Sequence, residues 1–176
     1  AAVAELPQPV RRLRGQTVQR VHVLNTISRG SRQAGEKVLL QSESKTFNGG
    51  LSARVRPSVA ASVSLGSAFS FTVTASVKTR LGGTILAKTT RKWRANCKSL
   101  FVHNSGIVEF NVGFSGFVQS HKKINDGRWH NIAIVYEKRQ NLFSIYVDGV
   151  VGQRKQINPH PDPDWATLLM GYTTAH

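Results

Sequence analysis

The chain has 176 residues, with 24 Lys and Arg against 9 Asp and Glu and a formal net charge of +15. This length accommodates one sizeable core plus an extension. The single cysteine, Cys97, excludes an internal disulfide framework, and no apolar run approaches the ~18 residues of a membrane-spanning helix.

Residues 1–46 read as a basic extension. Pro7 and Pro9 break any early helix, and Arg11, Arg12 and Arg14 form a cationic cluster. Val18 to Leu24 has the composition of a short strand, and the Gly/Ser/Arg-rich stretch from Ser28 to Gly35 reads as a link. Such a segment is either a partly disordered tail or an arm that orders on a partner. Ala1–Ala4 is too short for a signal-peptide core, so no targeting segment is expected in these residues.

Phe47-Asn48-Gly49-Gly50 opens the globular part, expected over 47–176. A strand is predicted from Phe69 to Thr79, where Thr72, Val73, Thr74 and Val77 suit a half-buried pleated surface. After the turn at Leu81-Gly82-Gly83, further strands are predicted over Gly83–Lys88, Lys98–Val102 and Ile107–Val112. Between the first two lies Lys88 to Lys98, read as a loop carrying Lys88, Arg91, Lys92, Trp93, Arg94 and Lys98 with no acid. Gly113 and Gly116 mark another turn, beside Phe114 and Phe117.

The stretch from Lys123 to Gly149 alternates apolar and polar residues around a polar turn, Glu137 to Asn141. Trp129, Ile132, Ile134 and Tyr136 are taken as one buried run and Phe143, Ile145 and Val147 as the other, which makes a β-hairpin. On this reading Trp129 packs under the sandwich and His130 points away. Asp126-Gly127 and Asp148-Gly149 are turn formers first.

Asn125-Asp126-Gly127-Arg128-Trp129-His130, followed by Tyr146-Val147-Asp148-Gly149, resembles the laminin-G-like, concanavalin-A-like jelly-roll superfamily. The resemblance extends over roughly Phe47 to Tyr172. It implies an all-β fold: a two-sheet antiparallel jelly-roll sandwich with a basic N-terminal extension. It implies a final strand after the one at Trp165–Tyr172, and this sequence shows none. The expectation is a bare sheet edge, filled by another protein chain or by Val18–Leu24. The resemblance favours an extracellular setting, with an organellar or particle-bound place left open.

Chemistry is sparse. No Glu-x-Asp-x-Glu alternation supplies the paired carboxylates of glycan cleavage, and no Gly-x-Ser-x-Gly elbow is present, so no enzymatic activity is expected. The six histidines do not stand at zinc-ligand spacing. A calcium ion is compatible with the resemblance; Asp162 and Asp164 are the weak candidate ligands, in a Pro-rich loop that reads first as solvated acids. Cys97 reads as a small residue in a basic loop, with a thiol activated by Arg94 and Lys98 as the alternative.

The excess of cations favours polyanionic partners. The Lys88–Lys98 segment is the main candidate, because Arg forks match sulfate, carboxylate or phosphate and Trp93 offers a ring face. Lys122 and Lys123 are expected to extend it, and Arg11, Arg12 and Arg14 to add to it. The bland alternative is a solvated loop. The expected function is a non-enzymatic binding module for an acidic glycan or other polyanion. The alternative is a structural subunit of a large assembly, a nucleoprotein or capsid, whose basic arm contacts RNA or neighbouring proteins.

Overall fold

The computed structural model describes residues 14–26, 45–48, 53–54, 64–90, 92–162 and 166–171. Among these the strands are β1 (Arg14–Thr26), β2 (Lys45–Asn48), β3 (Ala53–Arg54), β4 (Ser70–Lys78), β5 (Gly83–Thr89), β6 (Lys98–Val102), β7 (Ile107–Asn111), β8 (Phe117–Lys123), β9 (Trp129–Glu137), β10 (Leu142–Val147), β11 (Val150–Gln156) and β12 (Thr167–Met170). They form two six-stranded sheets, β11-β10-β9-β4-β1-β2 and β3-β12-β5-β6-β7-β8. Every pairing is antiparallel. The two sheets pack as the expected all-β sandwich.

Alternation places the core. In β4, Phe71, Val73, Ala75 and Val77 point inward, and Thr72, Thr74 and Ser76 line the outer face. In β9 and β10 the inward residues are His130, Ile132, Ile134, Tyr136, Phe143, Ile145 and Val147. The register sets Phe71 opposite Tyr136 and Tyr136 opposite Phe143, so three rings lie in one row across the sheet. Their centroids are 4.5–6.0 Å apart. Phe110 of the facing sheet closes on Phe71 and Phe143 at 6.3 and 5.9 Å. Such contacts add about 0.5–1.5 kcal/mol per pair beyond the buried area.

Trp129 departs from expectation. It is 43% exposed, and His130 is the buried residue. The cause is parity: Trp129 and Ile132 are an odd number of residues apart and lie on opposite faces of one strand. The Asp148-Gly149 turn forms as read. Both residues have positive φ, 51° and 79°, which a two-residue hairpin loop of matching twist requires.

At the sheet edges one of the two expected fillers, Val18–Leu24, is part of the sandwich, beside β4, and β12 is covered by β3. β12 pairs with β5 on one side and with β3 of the same chain on the other, through Leu169–Arg54 and Met170–Ala53. The segment containing Val18–Leu24 forms a 13-residue strand whose Thr17–Thr26 part runs along Ser70–Lys78. It lies between β4 and β2, so this part of the N-terminal extension belongs to the sandwich. On the opposite flank, β11 lies against β8, where the Gln119 N–H donates to Gln153 Oε1 at 3.1 Å.

Candidate functional site

The Lys88–Lys98 segment divides into two parts. Lys88 and Lys98 end β5 and β6 and face each other in register. They share the inward face with the paired residues Leu86 and Leu100, so each ammonium enters the end of the sandwich instead of the solvent. Like charges opposed across strands repel. Asp162 removes the conflict: its Oδ2 lies 2.9 Å from Lys88 Nζ, and its Oδ1 lies 3.0 Å from Lys98 Nζ. Lys98 Nζ also donates to the carbonyls of Asn96 and His160, at 3.0 and 2.7 Å. Burial pulls the Lys98 pKa down against the raising charge and hydrogen bond of Asp162.

Lys88 and Lys98 are therefore structural cations, 5% and 0% exposed, and the expectation that they meet a ligand is corrected. Asp162 is corrected as a metal candidate for the same reason. Both its oxygens face ammonium groups, and Oδ2 also accepts the Leu65 N–H at 2.6 Å. A cation ligand needs lone pairs free of such donors.

The surface hairpin proper is Lys92–Asn96. Lys92 and Arg94 are exposed and Trp93 is half-buried between them. Cys97 holds the bend from inside: it is fully buried, its Sγ accepts the Arg94 N–H at 3.3 Å, and its N–H donates to the Arg94 carbonyl at 3.0 Å. A buried sulfur in these bonds supports the packing role rather than the reactive one. The next loop abuts the hairpin. Gly113, at φ 62°, lies so close to the Ala95 carbonyl that a Cβ would collide with it, and Phe114 beside it is 67% exposed.

Lys122 and Lys123 do not join this group. β8 starts at Phe117, paired with Asn111 near the hairpin, and ends at Lys123, paired with Ile107. Six residues of strand separate the two ends by about 20 Å. At the far end the exposed cations are Lys78, Arg80, Lys122, Lys123 and Arg128. The main-chain bond from Gly127 N–H to the Thr79 carbonyl, 2.9 Å, draws two of their loops together. Sequence proximity hid this second basic group. The signal for it was the Asp126-Gly127 turn, which returns the chain beside Thr79.

His130 anchors that end. Its Nδ1 is 2.7 Å from Asp148 Oδ2 and its Nε2 3.0 Å from Asp126 Oδ1. A ring with a carboxylate on each nitrogen donates from both and carries a proton. Burial opposes that charge, but the bonds and charges of Asp148 and Asp126 outweigh it and raise the pKa. Asp148 is held well below the usual carboxylate range: burial acts against this, and the bonds from Lys122, His130 and the Asn131 N–H prevail. The two turn aspartates thus hold a histidine as well as their turns.

On the outer face of the β5–β8 sheet, Glu109 sits among donors. Its carboxylate meets His103 Nε2 at 3.0 Å, Asn111 Nδ2 at 3.2 Å and Gln119 Nε2 at 2.8 Å. The sequence reading passed over this cluster. Its only sequence signal is the outward parity of Glu109 between inward Val108 and Phe110.

Among the remaining candidates, Arg14 begins β1, paired with Asn48. Arg11, Arg12, Arg91 and Asp164 lie outside the described residues. Among the described residues, no group of three or more His, Cys, Asp or Glu could hold a metal ion, and no helix is long and apolar enough to cross a membrane.

Two antiparallel sheets packed face to face, with turns and basic loops at both ends, define a lectin-like β-sandwich. The profile described as the concanavalin A-like lectin/glucanases superfamily matches residues 48–176, and the chain belongs to that superfamily. The laminin-G-like resemblance is thereby borne out at the level of family. A search of curated protein sequences finds no match. Among solved structures, the CBM40 of the Ruminococcus gnavus IT-sialidase is similar with a TM-score of 0.50 and 12% identity, covering 59% of this chain and 64% of that one. Domains LG4-5 of the mouse laminin alpha1 chain give 0.44 and 12%, covering 97% and 38%. A SAP-like pentraxin from Limulus polyphemus gives 0.42 and 18%, covering 56% and 50%. At these identities the likeness is one of fold.

Proposed function

We propose that the chain is a non-enzymatic binding module for acidic glycans, engaged through the surface hairpin Lys92–Asn96. The observation that carries this reading is the exposure of Lys92 and Arg94 on either side of Trp93, on a bend pinned from inside by Cys97. Two exposed cations match sulfate or carboxylate groups, and the indole between them in sequence offers a face to a sugar ring. Membership of a superfamily described by its lectins and glucanases supports a glycan as ligand. Binding without cleavage is supported by the carboxylates: Asp162 is engaged by two lysines, Glu109 by three donors, and Asp126 and Asp148 by His130. None of these forms the pair of carboxylates flanking an open cleft that glycoside hydrolysis uses.

The test is retention on immobilised heparin and on poly-uridylate RNA across a salt series. The expected result is heparin retention that falls linearly in log affinity against log salt, since released counterions drive such binding. Lys92→Ala with Arg94→Ala should flatten that slope, and Lys138→Ala with Arg139→Ala should leave it unchanged. Salt-independent retention would overturn the electrostatic reading. Retention on RNA alone would instead make the chain a component of a nucleoprotein.

A further inference from the structure

The end of the sandwich opposite the hairpin carries an exposed indole beside several cations. Trp129 of β9 and Lys78 of β4 are register partners, and both are exposed. Directly paired residues on one sheet face stand about 5 Å apart. Beyond Lys78 the chain turns at Thr79, whose hydroxyl donates to the Leu81 carbonyl at 2.6 Å and accepts the Leu81 N–H at 3.1 Å. That turn sets the Arg80 guanidinium over Gly127, where a Cβ would lie 3.0 Å from its Cζ and Nε. Gly127, at φ 80°, leaves this seat free of a side chain, and it stands two residues from Trp129. Arg128 between them is exposed, and its N–H is held by Asp126 Oδ1 at 2.8 Å. Lys78, Arg80 and Arg128 are thus gathered around one indole by the β4–β9 register and the Asp126-Gly127 turn.

The acids of this end are already committed. Asp126 meets His130 and the Arg128 N–H, and Asp148 meets Lys122, His130 and the Asn131 N–H. Lys78 and Arg80 form no ion pair among the described residues. We infer that this end is a site for single-stranded nucleic acid, separate from the hairpin and independent of the glycan it is proposed to bind. One base stacks on Trp129, and the phosphates flanking it meet Lys78, Arg80 and Arg128. Guanidinium forks match phosphate oxygens, and bases stacked on aromatic rings beside cations are how single strands are held without sequence readout. A duplex keeps its base faces stacked, so the partner is an unpaired strand. The committed acids favour this ligand over a saccharide. Sugar hydroxyls call for acceptors, and Asp126 and Asp148 are both taken by donors, whereas a nucleotide needs only a ring face and cations.

The experiment measures binding of labelled decauridylate to the full chain by fluorescence anisotropy across a salt series, beside an abasic decamer with the same phosphates and a heparin decasaccharide. Three phosphate contacts on a single strand give a log–log salt slope of about −2. Trp129→Ala should weaken decauridylate about tenfold, and Trp129→Phe only about threefold, because the smaller ring still stacks. The Phe variant separates lost stacking from lost fold. The abasic decamer should bind the parent about tenfold more weakly and be indifferent to Trp129→Ala. Lys78→Ala with Arg80→Ala should weaken decauridylate and reduce the slope by about 1.4. Lys92→Ala with Arg94→Ala should lower heparin affinity and change decauridylate affinity by about twofold at most. Equal binding of decauridylate and the abasic decamer would overturn the nucleic-acid site. So would decauridylate binding that follows Lys92 and Arg94 instead of Trp129. Loss of heparin but not decauridylate on Lys78→Ala with Arg80→Ala would make this end a sulfated-glycan surface and overturn it as well. Heparin binding that survives Lys92→Ala with Arg94→Ala, while decauridylate still depends on Trp129, would overturn the hairpin reading and support this site.

Discussion

Replacing Asp162 by Asn should destabilise the sandwich more than any surface charge change. The amide keeps the size of the carboxylate but turns one oxygen into a donor, and that donor faces an ammonium in either orientation. Lys88 and Lys98, with side chains 6% and 0% exposed, would lose the carboxylate they share. Removing one partner of a buried ion pair costs about 3–5 kcal/mol. Lys98 keeps the carbonyls of Asn96 and His160, which favours the lower end. For a chain of this size each kcal/mol shifts Tm by about 2–4 °C, so a fall of roughly 6–20 °C is expected. Urea unfolding at constant m would measure it. The deficit should shrink as pH rises. Without Asp162 the folded pKa of Lys98 falls further below 10.5, and above it the buried amine is neutral while the unfolded chain still binds the proton. Lys98→Met in the Asp162→Asn background should recover much of the loss. A variant within 1 kcal/mol of the parent, or no recovery by Lys98→Met, would refute the account of these lysines as structural cations.

Three other outcomes follow from the geometry. The raised pKa of His130 stabilises the fold fully below its unfolded value of about 6.5, and this contribution fades as pH rises through the folded value. The depressed Asp126 and Asp148 contribute above about 3.8 and fail as pH falls through their folded values, so urea midpoints should decline on both sides and His130→Gln should remove the alkaline decline. Trp129→Ala should cost about 1 kcal/mol or less instead of the ~3–5 of a core aromatic, as thermal unfolding would show. Gly152→Val should destabilise by about 1–3 kcal/mol, because even a Cβ there meets the Gln119 carbonyl at 2.7 Å and Ser120 Cα at 2.8 Å, forcing β11 off β8; an unchanged Tm would contradict that close approach.

What the sequence made legible was local. The inward residues of β4, and Ile132, Ile134 and Tyr136 with Phe143, Ile145 and Val147, follow from a period of two and from Gly-containing turns. Trp129 was misplaced by setting composition above the same parity rule. Lys88 and Lys98 were also within reach of that rule, since each stands two residues from an inward leucine. Their charge argued for solvent, and the compensating acid lies 74 and 64 residues away in a proline-rich loop. No local pattern announces such a partner. The grouping of Lys122 and Lys123 with the hairpin failed because strands reverse: residues near in sequence lie at opposite ends of the sheet once β6, β7 and β8 pair. The rows on the outer face were illegible for a related reason. Thr74, Ala133 and Tyr146 form a row only when the β4–β9 and β9–β10 registers are both known. A slip of one residue in either would send the polar set inward. Side-chain parity is written in each strand, whereas charge compensation and rows across strands belong to register. The lysine pair on Asp162 and the row of Thr74, Ala133 and Tyr146 therefore depend on contacts between residues distant in sequence.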